Sequence, residues 1–158
     1  MTDFRKTLAE RGFIAQVSDE AGIDEYLKTR QTAYVGFDPT ADSLHVGHLV
    51  PIMALSWFQR CGHRPIAIVG GGTAMIGDPS GRTEARRMLT VEQIAANVAG
   101  LKAQLSHYIS FENDAAILVN NADWLTNFRY IDFLRDIGRY FSVNRMLAAE
   151  TYKARLEN

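Results

Sequence analysis

An α/β fold, a parallel sheet flanked by helices, is predicted by the order and character of three segments in this 158-residue sequence. TAYVGF (Thr32 to Phe37) and RPIAIV (Arg64 to Val69) are largely apolar and rich in β-branched and aromatic residues, the composition of strands in a buried parallel pair. Between them lies an apolar stretch of helical length. Strand, helix and strand in this order imply a right-handed crossover, hence a Rossmann-like nucleus whose strands are expected to be covered on both faces.

Taken in order, residues Thr2 to Arg30 set charged and apolar positions at helical spacing, which predicts two short outer helices, the second capped by Ser18. TAYVGF then ends in the turn-forming DPTADS. Pro51 fixes where the next helix opens, because proline deep in a helix loses a hydrogen bond and clashes with the preceding turn, at roughly 3 kcal/mol. It therefore belongs to the first turn. The regular ladder then starts near His48, LHVGH becomes an entry segment with free amides, and the helix stops at Cys61 and Gly62.

Beyond the second strand and its glycines, DPSGRTEARRML is polar and basic. Thr90 with Gln93 forms a capping-box pattern that opens a helix to about Tyr108. AAILVNNADW (Ala115 to Trp124) is the third strand candidate, leaving into an asparagine-rich turn. From Tyr130 a helix, a break at Gly138 and a second helix capped near Ser142 are expected. The chain divides into a helical segment (about 1–31), the strand-helix-strand nucleus (32–124) and a second helical segment (125–158). Three strands are few for this architecture, so a truncated nucleotide-binding domain is expected.

A net charge of -1 and a pI near 6.4 argue against a general nucleic-acid or membrane binder. Cys61, the one cysteine, excludes an intrachain disulfide and reads as a buried thiol in a reducing cytoplasm. The N-terminus lacks the apolar segment of a secretion signal, and no later run has the length of a membrane span, so a cytoplasmic location is expected.

His45 and His48 stand at the helix entry, where the positive end of the helix dipole and unpaired amides attract phosphate. Gly47 between them would admit a ligand close to the backbone, and imidazole donates hydrogen bonds to phosphate oxygens. Ordinary surface or cap roles are the plainer account of an unspecified H-x-x-H. Zinc would need convergent partners, and Cys61, His63 and His107 show no such spacing, so no metal site is expected.

The wider string YVGFDPTADSLHVGH resembles the first signature of the class I aminoacyl-tRNA synthetases, in the form found in the tyrosine-specific bacterial family. The resemblance continues through GHRPIAIVGGGTAMIGDPSG (Gly62 to Gly81), NNADW (Asn120 to Trp124) and FLRDIGRYFSVNRML (Phe133 to Leu147), nearly the whole chain. The tryptophan-specific relatives have a different form of the histidine signature.

That resemblance implies a ligase that joins L-tyrosine to ATP, with Mg2+ accompanying it, to give tyrosyl-adenylate, and then transfers tyrosine to tRNA(Tyr). On the matching positions, Thr40 and His45 would bind the γ-phosphate most strongly in the transition state, and His48 would line the ribose and α-phosphate. Gly36 and the Asp38 backbone would approach the nucleotide. Tyr34 would meet the phenol of the substrate; a half-buried strand aromatic is its plainer reading. Asp78 would hold the substrate ammonium, or serve only as a turn aspartate before Pro79. The glycines before it would let the backbone pass close to tyrosine. Arg82 and Arg86 would hold the departing pyrophosphate, although with Arg87 they also read as a solvated face. Asn121 and Trp124 would support the tyrosine pocket or form a plain turn.

No lysine-bearing second signature follows, nor the other half of the nucleotide fold, so the chain is expected to hold the first half of an active site and to be inactive alone. Phe133 to Leu147 matches a region that forms a two-fold interface in this family, which implies a homodimer. The competing function is a non-catalytic Rossmann-like module for nucleotide binding or assembly.

Overall fold

Pairing of three short apolar strands organises the molecule; the computed structural model describes residues 3–76, 89–149 and 153. β1 (Thr32–Phe37), β2 (Arg64–Val69) and β3 (Ile117–Asn120) run parallel in the order β1-β2-β3. Phe37 pairs with Val69 and Val69 with Asn120, so all three strands end at one level. Beyond them the ladder continues through Gly70 N–H to Phe37 O (2.9 Å) and Asn121 N–H to Val69 O (2.9 Å).

The helices are α1 (Phe4–Glu10), α2 (Glu20–Tyr26), α3 (Leu49–Arg60), α4 (Gly71–Ala74), α5 (Val91–Leu105), α6 (Ala122–Leu125), α7 (Tyr130–Asp136) and α8 (Val143–Leu147). Along α5, Val98, Leu101 and Leu105 recur at helical spacing and pack, with Ile52 and Leu55 of α3, against Phe37, Ala67 and Val69 of the sheet. Fully burying each of the larger side chains contributes roughly 1.5–3 kcal/mol, so this layer supplies the main cohesion. Among the described residues, no helix is long and apolar enough to cross a membrane.

Several expectations need correction. Among the described residues, β1 is covered on one face only: Thr32, Tyr34 and Gly36 are exposed, whereas Ala33 and Val35 are half-buried and Phe37 buried; beside them Ile66 and Ile68 of β2 are half-buried on the open face. The cause is that α3 and α5 meet the same face of the sheet. The cap of α2 is Asp19, not Ser18; its carboxylate accepts from Gly22 N–H at 2.8 Å. β3 does end at the asparagine-rich turn expected for it, at Asn120, and Trp124 lies in α6 beyond; the Asn120 side chain accepts from Ala122 N–H at 3.0 Å and turns the chain. Ser142 takes the cap position of α8 without a side-chain hydrogen bond.

Other elements match their sequence reading. Thr90 Oγ1 accepts from Gln93 N–H at 3.2 Å while Gln93 Oε1 accepts from Thr90 N–H at 3.0 Å, the reciprocal cap that opens α5. Gly62, with φ +90, takes the left-handed turn after α3 that side chains resist. Cys61 is 1% exposed beside it, and burial pushes its thiol pKa up. His63 then lies buried against Phe58, with ring centroids 4.5 Å apart, and its Nδ1 accepts from Gln31 N–H at 3.2 Å, tying the segment before β1 to the end of α3.

Candidate active site

Pro51 is the third residue of α3, in the first turn as its fixed φ requires, and a 3-10 turn over Val46–His48 leads into it. His45 Nδ1 accepts from Gly47 N–H at 3.1 Å, and His48 Nδ1 accepts from His45 N–H at 3.1 Å. The two rings lie close, tilted by 33°, with centroids 3.9 Å apart. The entry amides expected to be free are thus engaged inside the motif, with His48 N–H donating to His45 O at 2.9 Å. A neutral imidazole whose Nδ1 accepts must carry its hydrogen on Nε2. Capping therefore uses one nitrogen of each ring and leaves the Nε2–H of each as a donor.

Burial lowers the His48 pKa, the positive form of neighbouring His45 lowers it further, and Asp38 opposes both. Both lowering effects disfavour the charged form of His48. Gly47 clears the His45 ring, since a Cβ there would stand 2.9 Å from His45 Cε1. At Gly36 a Cβ would meet nothing within 4 Å, so the strand backbone lies open. Tyr34 shares that open face two residues earlier and is 70% exposed, which overturns the half-buried reading. Among the described residues its hydroxyl makes no hydrogen bond.

The strand ends converge on a second polar cluster. Asn120 Oδ1 accepts from Gly71 N–H (3.1 Å) and Ala122 N–H (3.0 Å). Asn121 Oδ1 accepts from Gly72 N–H (2.7 Å), and its Nδ2 donates to Thr73 Oγ1 (3.2 Å). Gly70, Gly71 and Gly72 are buried, and a Cβ on Gly71 would stand 2.3 Å from Asn120 Oδ1. These glycines admit the asparagine side chains and do not stand bare. Nor do the Gly71 and Gly72 amides form a phosphate cradle, because the asparagines occupy them. Asp38 lies at the same edge: a Cβ on Gly70 would be 3.0 Å from its Oδ1.

Thr40 is exposed on the loop between β1 and His45, and Trp124 is 43% exposed on α6. The structure brings Asp38 and His48 together, puts Tyr34 and Gly36 on one open face, and sets Asn121 behind the β2–α4 turn. Asp78, Arg82, Arg86 and Arg87 lie outside the described residues. Sequence reasoning missed Asn120, whose signal was the asparagine doublet at a strand end, and Asn97, Gly100 and Gln104 of α5, which carried no signal.

An opening at the carboxyl ends of parallel strands, rimmed by donors at a helix entry, is where open α/β sheets bind ligands. A family model described as tRNA synthetases class I (W and Y) matches residues 27–158. The chain belongs to this family. Among curated relatives of this class I synthetase chain, the tyrosine–tRNA ligase of Fusobacterium nucleatum is 57% identical over 100% of the chain and 39% of the relative. That of Syntrophus aciditrophicus is 61% identical over 94% of the chain and 35% of the relative. A solved structure of a C-terminally truncated mitochondrial tyrosyl-tRNA synthetase from Aspergillus nidulans superposes with a TM-score of 0.81 at 31% identity, covering 99% of the chain and 48% of its own. The class I synthetase chain thus spans less than two fifths of the length of these curated relatives.

Proposed function

We propose that this chain is the first half of the catalytic domain of a tyrosine-specific tRNA ligase acting in the cytoplasm. The observation that carries the reading is the Tyr34–Gly36 open face beside the His45–His48 pair, in a chain 57% identical to a tyrosine–tRNA ligase over its whole length. ATP, entering with Mg2+, and L-tyrosine meet at the carboxyl edge of the sheet. A tyrosine carboxylate oxygen attacks the α-phosphorus, the bond to the bridging oxygen breaks, and pyrophosphate leaves. A hydroxyl of the terminal ribose of tRNA(Tyr) then attacks the tyrosyl carbonyl and releases AMP.

Negative charge grows on the phosphates during the first step. The Nε2–H donors of His45 and His48, with the Thr40 hydroxyl, stabilise that charge without moving a proton. Their preorganisation comes from the cap: each ring is already held through Nδ1. Tyr34 supplies a hydroxyl for the substrate phenol, and a site that hydrogen-bonds a hydroxyl rejects the analogue that lacks it, as phenylalanine does. Asp78 would hold the substrate ammonium, while Arg82 and Arg86 would hold pyrophosphate by charge-assisted bonds.

The partner is a second copy of the protein. Phe133, Leu134, Phe141, Val143, Met146 and Leu147 are each at least 37% exposed on α7, α8 and the turn between them. Exposed apolar side chains of this number on neighbouring elements suit a self-complementary two-fold contact.

The experiment is exchange of pyrophosphate into ATP by the chain fused in register to the remainder of the Fusobacterium nucleatum ligase. Exchange dependent on tyrosine, and absent with phenylalanine or tryptophan, is expected. The 158-residue chain alone is expected to show none. Exchange supported by tryptophan in the fusion would overturn the reading.

A further inference from the structure

We propose that Gln104 and Asn97 of α5 are positioning residues that set the loop between β1 and His45, and through it the histidine pair. Gln104 meets this loop as a peptide group would: its Oε1 accepts from Leu44 N–H at 2.9 Å and its Nε2 donates to Asp42 O at 3.1 Å. Asn97 Nδ2 donates to Pro39 O at 2.9 Å. Between them Gly100 lets the loop backbone touch the helix, since a Cβ there would lie 2.4 Å from Asp42 O. Positions 97, 100 and 104 share one helical face, beside the apolar face of Val98, Leu101 and Leu105 that anchors α5 to the core.

The consequence follows from the loop's own chemistry. The 39–45 segment lies outside any strand or helix, and the Pro39 and Asp42 carbonyls and the Leu44 amide find their partners on α5. Leu44 immediately precedes His45, so the Gln104 bond at Leu44 N–H orients the residue whose imidazole caps Gly47. Thr40 follows Pro39, whose carbonyl Asn97 holds. The helix that builds the core thereby also places the groups assigned to the phosphates, an assignment that rests on the functional reading above.

The test reads loop geometry directly and does not depend on tyrosine being the substrate. Ring 15N shifts of His45 and His48 in the 158-residue chain report whether Nδ1 accepts a hydrogen bond, and solvent exchange of the Gly47 amide reports the cap. In Gln104→Met, which keeps length and loses both polar groups, the His45 shifts should move toward the tautomer average and Gly47 exchange should quicken roughly tenfold. Gln59→Met is the control: Gln59 bonds Ser110 and Ala115 in the same helix-to-loop manner, away from this loop, and should leave both signals unchanged. If Gln104→Met does not fold, Gly100→Ala carries the same test, because alanine strengthens a helix yet would push Asp42 away. Wild-type histidine signals in the folded Gln104 variant, or in Gly100→Ala where that one is read, would overturn the proposal, as would an equal shift in Gln59→Met.

Discussion

His45 and His48 cap each other's turn: the His45 ring accepts from Gly47 N–H, the His48 ring accepts from His45 N–H, and their centroids stand 3.9 Å apart. The arrangement leaves Nε2–H on both rings, donors that are oriented before any ligand arrives. Removing one should therefore damage the chemical step more than substrate binding. In the fused ligase, His45→Ala or Thr40→Ala is expected to slow adenylate formation by on the order of 100-fold, about 3 kcal/mol, with tyrosine affinity nearly unchanged. Single-turnover kinetics checks this; a wild-type rate with a raised KM for tyrosine would contradict it.

Acid should loosen the fold through its histidines. Burial lowers the His63 pKa below its ordinary value, with a backbone hydrogen bond at Thr29 opposing, and His48 is lowered too. A group that is harder to protonate when folded leaves the unfolded chain binding more protons, so stability is full above about pH 6.5 and falls as pH drops below it. Urea midpoints at pH 7.5 and 5.5 should show the loss, and His63→Gln should reduce it. A higher midpoint at pH 5.5 in the wild-type chain would refute the assignment.

Asn120 holds two backbones at once, accepting from Gly71 and Ala122. Asn120→Ala leaves both amides without that partner in a part-buried setting and is expected to cost about 1–3 kcal/mol. Asn120→Asp keeps an acceptor oxygen and should recover much of the loss. Chemical denaturation of the three proteins decides between them, and equal stability of the alanine variant would sink the clamp.

Self-association is expected at micromolar concentration, driven by the α7–α8 surface on which Phe141 is 61% exposed. Phe141→Asp should dissociate the dimer, because a carboxylate without a partner is costly to desolvate in an interface. Sedimentation equilibrium reads it: a single-chain mass that does not change with concentration would remove the homodimer from the proposal.

The sequence by itself determined the local elements. Pro51 marked the first turn of α3, Thr90 and Gln93 the start of α5, and Gly62 the left-handed stop, because each acts through bonds to residues within a few positions. The resemblance of its motifs also pointed to the family to which the chain belongs. The alternation of Ala33, Val35 and Phe37 with Thr32, Tyr34 and Gly36 marks the more apolar face of β1, but only the tertiary structure decided that α3 and α5 both pack on it. Tertiary structure alone also joined Gln104 to Leu44 and Asn120 to Gly71, pairs 60 and 49 residues apart in the chain. A polar side chain on a helix or at a strand end reads as solvated until the fold brings a distant backbone amide to it.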